Sequence, residues 1–329
     1  MGAINRLLGM LLLGWPLLVN AAPRALCVFS VAGAQGEPWG TMQDFAAVSA
    51  GWGAPVTLRP MTDERIAAED LKAGICDAAL ITGIRARQFN AFAGSLDAIG
   101  GLPDYESLRM LITVLTRPEL APSMRQGPYE VAGILPLGAA YLFLNDRRIN
   151  SVEKMAGKRL AVLEHDPAQR MMATRIGAQA VSSDVVNFAG KFNNGVVDVV
   201  AAPALAYLPL ELYRGVGAKG VVLDLPVAQL TLQLVMRHER FPEGYGDKAR
   251  QWLAEQFSPA LRHVQAAEAE MLFFFPPPDA DRDRYRLLLQ DARIALMQGG
   301  FYHPRMMRLM KRVRCTLDPS QAECSNDHE

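Results

Sequence analysis

The chain has 329 residues, half of them apolar, and its 34 lysines and arginines are matched by 34 aspartates and glutamates. That length suits about two domains with ordinary cores. The charge balance excludes a net field that would draw the protein to nucleic acid or to an anionic membrane surface.

The first segment reads as separate from the fold. Arg6 precedes an apolar run from Leu7 to Val19, and Val19-Asn20-Ala21 offers small residues to a signal peptidase. The run is shorter than the ~20 apolar residues of a spanning helix, and Gly14 and Pro16 break it. Residues 1–22 are therefore expected to be an export signal, cleaved near Ala21, that delivers the chain to a periplasm. Cys27 follows Arg24-Ala25-Leu26, which lacks the small residues expected before a lipidated cysteine.

After the signal, Leu26–Ala32 is an apolar strand, Gly33-Ala-Gln35-Gly36 a turn and Met42–Ala50 a helix. Val56–Pro60 is a second strand, Thr62 and Asp63 cap a helix that runs to Lys72, and Ala78–Thr82 is a third strand. Two apolar runs, Val131–Pro136 and Ala140–Asn145, follow with no helix between them, which suits a crossing between lobes. Ser151–Lys158 opens a second lobe as a short capped helix leading into strand Arg159–Leu163. Helices Pro167–Ile176 and Asp184–Lys191 and a strand after Gly195 repeat the earlier order. Val221–Leu225 is a strand. Gln229–Met236 alternates polar and apolar residues as a strand with one wet face does, and returns the chain to the first lobe. Ala249, Trp252, Leu253 and Phe257 share a helical face, as do Tyr285, Leu288, Leu289, Ala292 and Leu296, so long amphipathic helices finish the chain.

One phrase occurs twice: Leu71-Lys-Ala-Gly74-Ile-Cys-Asp77 and Phe192-Asn-Asn-Gly195-Val-Val-Asp198. In each, a helical stretch ends at a glycine able to take the left-handed conformation, and an apolar run too short for a helix follows. The repetition implies two α/β lobes of related plan with a cleft between them. Lobe one spans 23–138 and lobe two 139–228; residues 229–262 return to lobe one, and 263–329 form C-terminal helices and a disulfide loop.

Export makes disulfides the natural reading of the four cysteines, which allow three pairings. Cys27 starts the first apolar strand and Cys76 starts the third. Those strands are neighbours in the order 2-1-3 of many doubly wound sheets, which favours Cys27–Cys76 and leaves Cys315–Cys324. Without CxxC spacing or a nearby histidine, neither a metal site nor a reactive thiol is expected.

Gly215-Val-Gly-Ala-Lys-Gly220 matches a dinucleotide-binding pattern, but it follows a helical stretch and precedes a strand, the reverse of the functional order. It reads as a helix end and turn, and no cofactor is expected. No nucleophile elbow, zinc helix or phosphate-cradling loop is present. Ligands of open α/β sheets bind beyond the carboxyl ends of strands. Those ends carry Gln35, Asp63, Thr82, Arg85 and Arg87 in lobe one, and His165, Asp166, Pro203 and Tyr207 in lobe two. Arg85 or Arg87 is placed to clasp a carboxylate, or else to lie on a solvated helix face. His165 and Asp166 are either ligand contacts or a polar loop in which Asp166 caps the Pro167 helix. Tyr141 and Tyr207 end apolar runs able to wall a pocket or to fill a core.

Leu71-x-x-Gly74-x-x-Asp77, Ser151-Val-Glu-Lys-Met-Ala-Gly157-Lys-Arg-Leu-Ala-Val and Phe192-x-x-Gly195-x-x-Asp198 resemble exported solute-binding proteins of the type II periplasmic fold. The nearest are the substrate-binding subunits of tripartite ATP-independent (TRAP) transporters. Thr62–Asp70, Ile81–Phe89 and Phe188–Asn194 resemble a branch described only as solute-binding proteins. The resemblance implies two lobes, each a mainly parallel sheet flanked by helices, that close by hinge motion on a small organic, anionic ligand and deliver it to a membrane transporter. Receptors of this kind for organic acids carry an arginine where this chain has Ala161, which leaves Arg159 and Arg85 as candidates to replace it. A monomer is expected. The rival readings are an adaptor docking through the basic helix Arg305–Arg314, and an enzyme using His165 or Asp166 as acid or base.

Overall fold

The computed structural model describes residues 22–329. The export signal read over residues 1–22 lies outside them except for Ala22. Strand β1 (Arg24–Phe29) leads to helix α1 (Glu37–Ser49), strand β2 (Val56–Met61), helix α2 (Glu64–Ala73) and strand β3 (Ala78–Thr82). Short helices α3 (Gly83–Ala86) and α4 (Ala91–Gly94) precede α5 (Tyr105–Leu115), the short strand β4 (Arg125–Gln126) and the long β5 (Tyr129–Leu144). The second lobe runs through β6 (Arg159–Leu163), α6 (Pro167–Arg175), β7 (Gln179–Ser183), α7 (Phe188–Asn193), β8 (Val199–Pro203) and α8 (Leu212–Val216). A second long strand, β9 (Val221–Arg237), is followed by α9 (Tyr245–Glu255), α10 (Phe257–Ala269), β10 (Phe274–Phe275), α11 (Asp279–Gln298) and α12 (Pro304–Leu317).

The main sheet order is β2-β1-β3-β9-β5-β8-β6-β7. β1 pairs in parallel with β2 and β3, and β6 pairs in parallel with β7 and β8. Between these groups, β5 and β9 are antiparallel to each other along most of their length, from Tyr129 opposite Arg237 to Leu144 opposite Val221. The two lobes therefore share one sheet. The runs Val131–Pro136 and Ala140–Asn145, expected as separate elements, are one strand because backbone pairing to β9 continues past the Leu137-Gly138 interruption with only a register shift between Pro136 and Gly138. Val221–Leu225 and Gln229–Met236 are likewise one strand, so both expected lobe boundaries fall inside continuous strands.

The alternation in β9 has a different cause from the wet face expected of it. Gln229, Thr231 and Gln233 are all buried. Thr231 donates from N and Oγ1 to Asp97, at 3.0 and 2.5 Å, and Gln233 donates through Nε2 to the Ala93 carbonyl and to Thr231 Oγ1. The helix expected over Asp184–Lys191 begins later, at Phe188, after a turn in which Asp184 Oδ1 accepts from Val186 N and Asn187 N. Strand Gln179–Ser183, which has no apolar run to announce it, pairs with β6 on the sheet edge.

The repeated Gly-x-x-Asp phrase does the same job twice. Gly74 and Gly195 stand at φ 74° and 69°, a conformation that costs a residue with a Cβ about 1 kcal/mol or more. Each turns the chain so that the following aspartate reaches the start of a neighbouring parallel strand. Asp77 Oδ2 accepts from the Ala25 amide at 2.9 Å, and Asp198 Oδ2 accepts from the Arg159 amide at 2.9 Å. The backbone amides of the same aspartates donate to the Ala25 and Arg159 carbonyls, both at 2.8 Å. Cys27 on β1 is bonded to Cys76 just before β3, with their Cα atoms 6.0 Å apart, and Cys315 is bonded to Cys324, so both expected disulfides are present.

The Gly215–Gly220 segment covers the end of α8 and the turn into β9, as a helix end and turn. Gly215 serves packing, since a Cβ there would press into the ring of Phe192. The first lobe's core gathers Phe45, Leu71, Leu80, Ile81 and Tyr245, and the second lobe's gathers Phe143, Phe192 and Tyr207. Each such burial contributes roughly 1.5–3 kcal/mol before entropy is subtracted.

Candidate functional site

A cleft of about 400 Å³ opens between the lobes at the carboxyl ends of β1, β3, β6 and β8. Phe29 and Ser30, Thr82, Leu163 and Pro203 mark those strand ends in its wall. Most of the wall is apolar, including Ile84, Ile99, Leu137, Leu142, Met172 and Phe188. Helix α11 lies across it and contributes Tyr285, Leu288 and Leu289. That helix is tied to both sides, since Arg284 pairs with Glu153 of lobe two at 2.8 Å and Arg293 bonds the Gly100 carbonyl of lobe one.

Of the residues expected at the site, Gln35, Thr82, Asp166 and Pro203 line the cleft. The others lie outside its wall, each for a definable reason. Asp63 caps α2, accepting from Arg65 N at 2.8 Å, and it is the next residue, Glu64, that turns inward. Tyr141 points to the opposite face of β5 from Ala140 and Leu142, where its hydroxyl donates to Glu268 at 2.7 Å. Tyr207 is core: it is buried, stacks 6.0 Å from Phe143, and accepts from the Leu272 amide. Arg159 stands at the amino end of β6, far from the strand end that meets the cleft, and its guanidinium grips Asp198 through Nε at 3.0 Å and Nη2 at 2.7 Å. Those bonds hold the Asp198 carboxyl down at about 2.

Arg85 and Arg87 sit behind the wall. Arg85 Nε lies 3.4 Å from Glu64 Oε1. Arg87 bonds the Gly94 carbonyl through Nε and Nη2, places its guanidinium 4.4 Å from the ring centre of Phe301, and pairs with Asp166 across the lobes. Asp166 also caps α6, accepting from Ala168 N at 3.2 Å. His165 Nε2 is 3.7 Å from Glu64 Oε1. Burial, and after it the neighbouring Arg85 and Arg87, lower the His165 pKa to about 3, so the ring is neutral.

Glu64 and Asp97 are wall residues for which the sequence carried no functional signal. Glu64 is almost fully buried in the first turn of α2 and accepts from Thr82 Oγ1 at 2.7 Å. Burial raises its pKa, against the opposing pull of Arg85 and Thr82. Asp97 is also buried and belongs to a 3-10 turn after α4; burial pushes its carboxyl up to about 7, while the bonds from Thr231 oppose that rise. The glycine opening α3 makes room for it: a Cβ on Gly83 would sit 2.5 Å from both Asp97 Oδ1 and Thr231 Oγ1. Ala161 also lines the cleft.

This architecture matches known proteins over nearly the whole chain. A family model described as solute-binding protein AdeT 1/2 matches residues 47–329. The chain belongs to the AdeT 1/2 solute-binding family. Its relative in Acinetobacter baumannii named probable solute-binding protein AdeT1 is 40% identical over 304 residues, covering 92% of this chain and all of the relative. AdeT2 of the same organism, also named a probable solute-binding protein, is 26% identical over 233 residues, covering 70% of this chain and 98% of AdeT2.

Solved structures share the fold of this AdeT-family chain. A TRAP periplasmic solute-binding protein from Desulfovibrio salexigens with bound orotic acid aligns with a TM-score of 0.75 at 15% identity, over 90% of this chain and 99% of that one. Another, from Anaerococcus prevotii with bound D-glucuronate, aligns at 0.72 and 13%, over 91% of this chain and all of that one. The expected two-lobed α/β fold with long C-terminal helices is thus the fold of TRAP solute-binding proteins. Among the described residues, no helix is long and apolar enough to cross a membrane.

Proposed function

We propose that this AdeT-family protein is an exported, monomeric receptor that captures a small organic solute in the interlobe cleft, without transforming it, and presents it to a membrane transport system. The observation that carries this reading is the cleft itself. Its volume of about 400 Å³ falls in the usual range for organic ligands, and its wall is mainly apolar with a few convergent polar groups. Lobe one comprises residues 23–138 with a return over 229–262, lobe two comprises 139–228, and bending of β5 and β9 between them opens the cleft.

Capture without chemistry is supported by the state of the polar groups. His165 is neutral and lies outside the wall, while Asp166 is occupied by Arg87 and by the cap of α6. The basic helix α12 is less free for docking than its sequence implies. Arg314 is buried against Glu323, Arg305 bonds Ser123, and Lys311 bonds the Asn326 carbonyl.

Native mass spectrometry of protein purified from its own envelope, followed by thermal-shift and calorimetric screening of a metabolite library, tests the proposal. A co-purifying small molecule, or a library member that stabilises the protein and whose effect is lost when Ala201→Trp fills the cleft, is the expected result. A broad screen with no stabilising compound, acids included, counts against it.

A further inference from the structure

The cleft wall contains four carboxylate side chains, Glu37, Glu64, Asp97 and Asp166, and among the described residues no lysine, arginine or histidine. The nearest cations are already paired: Arg85 and Arg87 lie behind the wall against its own acids Glu64 and Asp166, Arg87 also bonds the Gly94 carbonyl, and Arg159 is held away from the cleft by Asp198. Asp97 differs from the other two buried acids. Glu64 and Asp166 each have an arginine within ion-pair distance, whereas Asp97 has only the Thr231 amide and hydroxyl and forms no ion pair among the described residues. The side chain at Ala161 adds only a methyl group to the same wall.

An anion entering such a cleft would lose its water, would lie near carboxylates, and would meet in the wall no cation of its own, since the arginines behind it are paired with Glu64 and Asp166. An ammonium group would instead meet buried acceptors in a low-dielectric wall, where charge-assisted hydrogen bonds are strongest. Resting on the solute-capture reading above, we propose that the ligand is a molecule with a bulky apolar body and a basic amine, and that Asp97 anchors the amine. Thr231 supports that role, because its two hydrogen bonds fix the Asp97 carboxyl group at the cleft wall.

Three probes that share one apolar body separate the possibilities: para-phenylbenzylamine, para-phenylbenzyl alcohol and para-phenylbenzoate, each titrated calorimetrically into the mature protein. The amine is expected to bind roughly 10- to 100-fold more tightly than the alcohol, the range of a charge-assisted hydrogen bond, and the acid most weakly. Asp97→Asn is expected to bring the amine down to the level of the alcohol. Ala161→Arg places a cation in the wall and is expected to shift preference toward the acid; it serves as the deciding variant should Asp97→Asn fail to fold. An amine no tighter than the alcohol, an acid that binds best to the wild type, or an order unchanged in Ala161→Arg overturns the proposal while leaving solute capture intact. Absence of binding by all three probes overturns capture of apolar solutes in this cleft, and this proposal with it.

Discussion

Arg87 and Asp166 meet behind the cleft wall with Nη1 and Oδ1 3.5 Å apart, and both side chains are less than a tenth exposed. One follows β3 of the first lobe and the other follows β6 of the second. Their pairing is therefore a bond between the lobes. Removing one partner leaves the other charge buried and unpaired, so Arg87→Met is expected to cost about 3 kcal/mol or more. Adding Asp166→Asn, which keeps a cap for α6, should recover most of that loss. Urea denaturation of the single and double variants checks this, and a double variant no more stable than Arg87→Met refutes the pairing. Small-angle scattering of Arg87→Met should show a more open ligand-free molecule.

Asp97 gives the stability a pH dependence whose sign follows from its raised pKa. With an ordinary value of 3.8 and a folded value of about 7, the native state binds the proton more tightly than the unfolded chain does. Its contribution is complete below about pH 4, declines as pH rises toward 7, and levels off above that. The full span is about 4 kcal/mol at most, from 1.36 kcal/mol per pKa unit. Arg87 and Asp166 are the charged neighbours that modulate it, in opposite directions. The stability difference between wild type and Asp97→Asn, measured by denaturant titration at pH 5 and pH 8, should therefore shift in favour of Asp97→Asn at the higher pH. An identical difference at both values contradicts the assignment.

Arg159 is expected to be silent in binding. Its guanidinium is held by Asp198 at the strand end remote from the cleft, so Arg159→Ala should leave the affinity of any cleft ligand within about twofold, while Thr82→Val, which removes a donor to Glu64, should not. Calorimetry with one ligand on both variants decides it. A large loss of affinity in Arg159→Ala alone would place the site elsewhere.

The two disulfides should differ in weight. Cys27–Cys76 closes a loop of 49 residues and Cys315–Cys324 one of 9. Loop-closure entropy then assigns them about 4 and about 2.6 kcal/mol respectively. Paired Cys→Ala variants compared by chemical denaturation should lose more stability for Cys27/Cys76, and the reverse order would show that residual structure in the unfolded chain dominates.

Much of the scaffold was legible because its signals are local. Gly74 and Gly195 mark left-handed turns, the short apolar runs after them mark buried strands, and the Asp77 and Asp198 bonds complete the same device in both lobes. The cysteine pairing followed from strand order, since β1 lies next to β3. Expected cleft residues missed the wall by one position in three places. Asp63 stands beside Glu64, Tyr141 between Ala140 and Leu142, and Tyr207 beside Ala206. A strand buried on both faces alternates its side chains without stating which face meets the cleft; the pairing partners and the helices packed on each side decide that.

Asp97 shows the limit most clearly. It has no motif and sits in a short turn, and its partner Thr231 is 134 residues away on a strand whose polar positions looked wet. The local run of residues was enough to determine two repeated lobes, their turns and their staples, because those depend on backbone conformation and on periodicity over a few residues. The charge of the cleft was decided only when the chain folded, because burial, ion pairing and the sheet register between distant segments determine which arginines turn away and which carboxylates face inward.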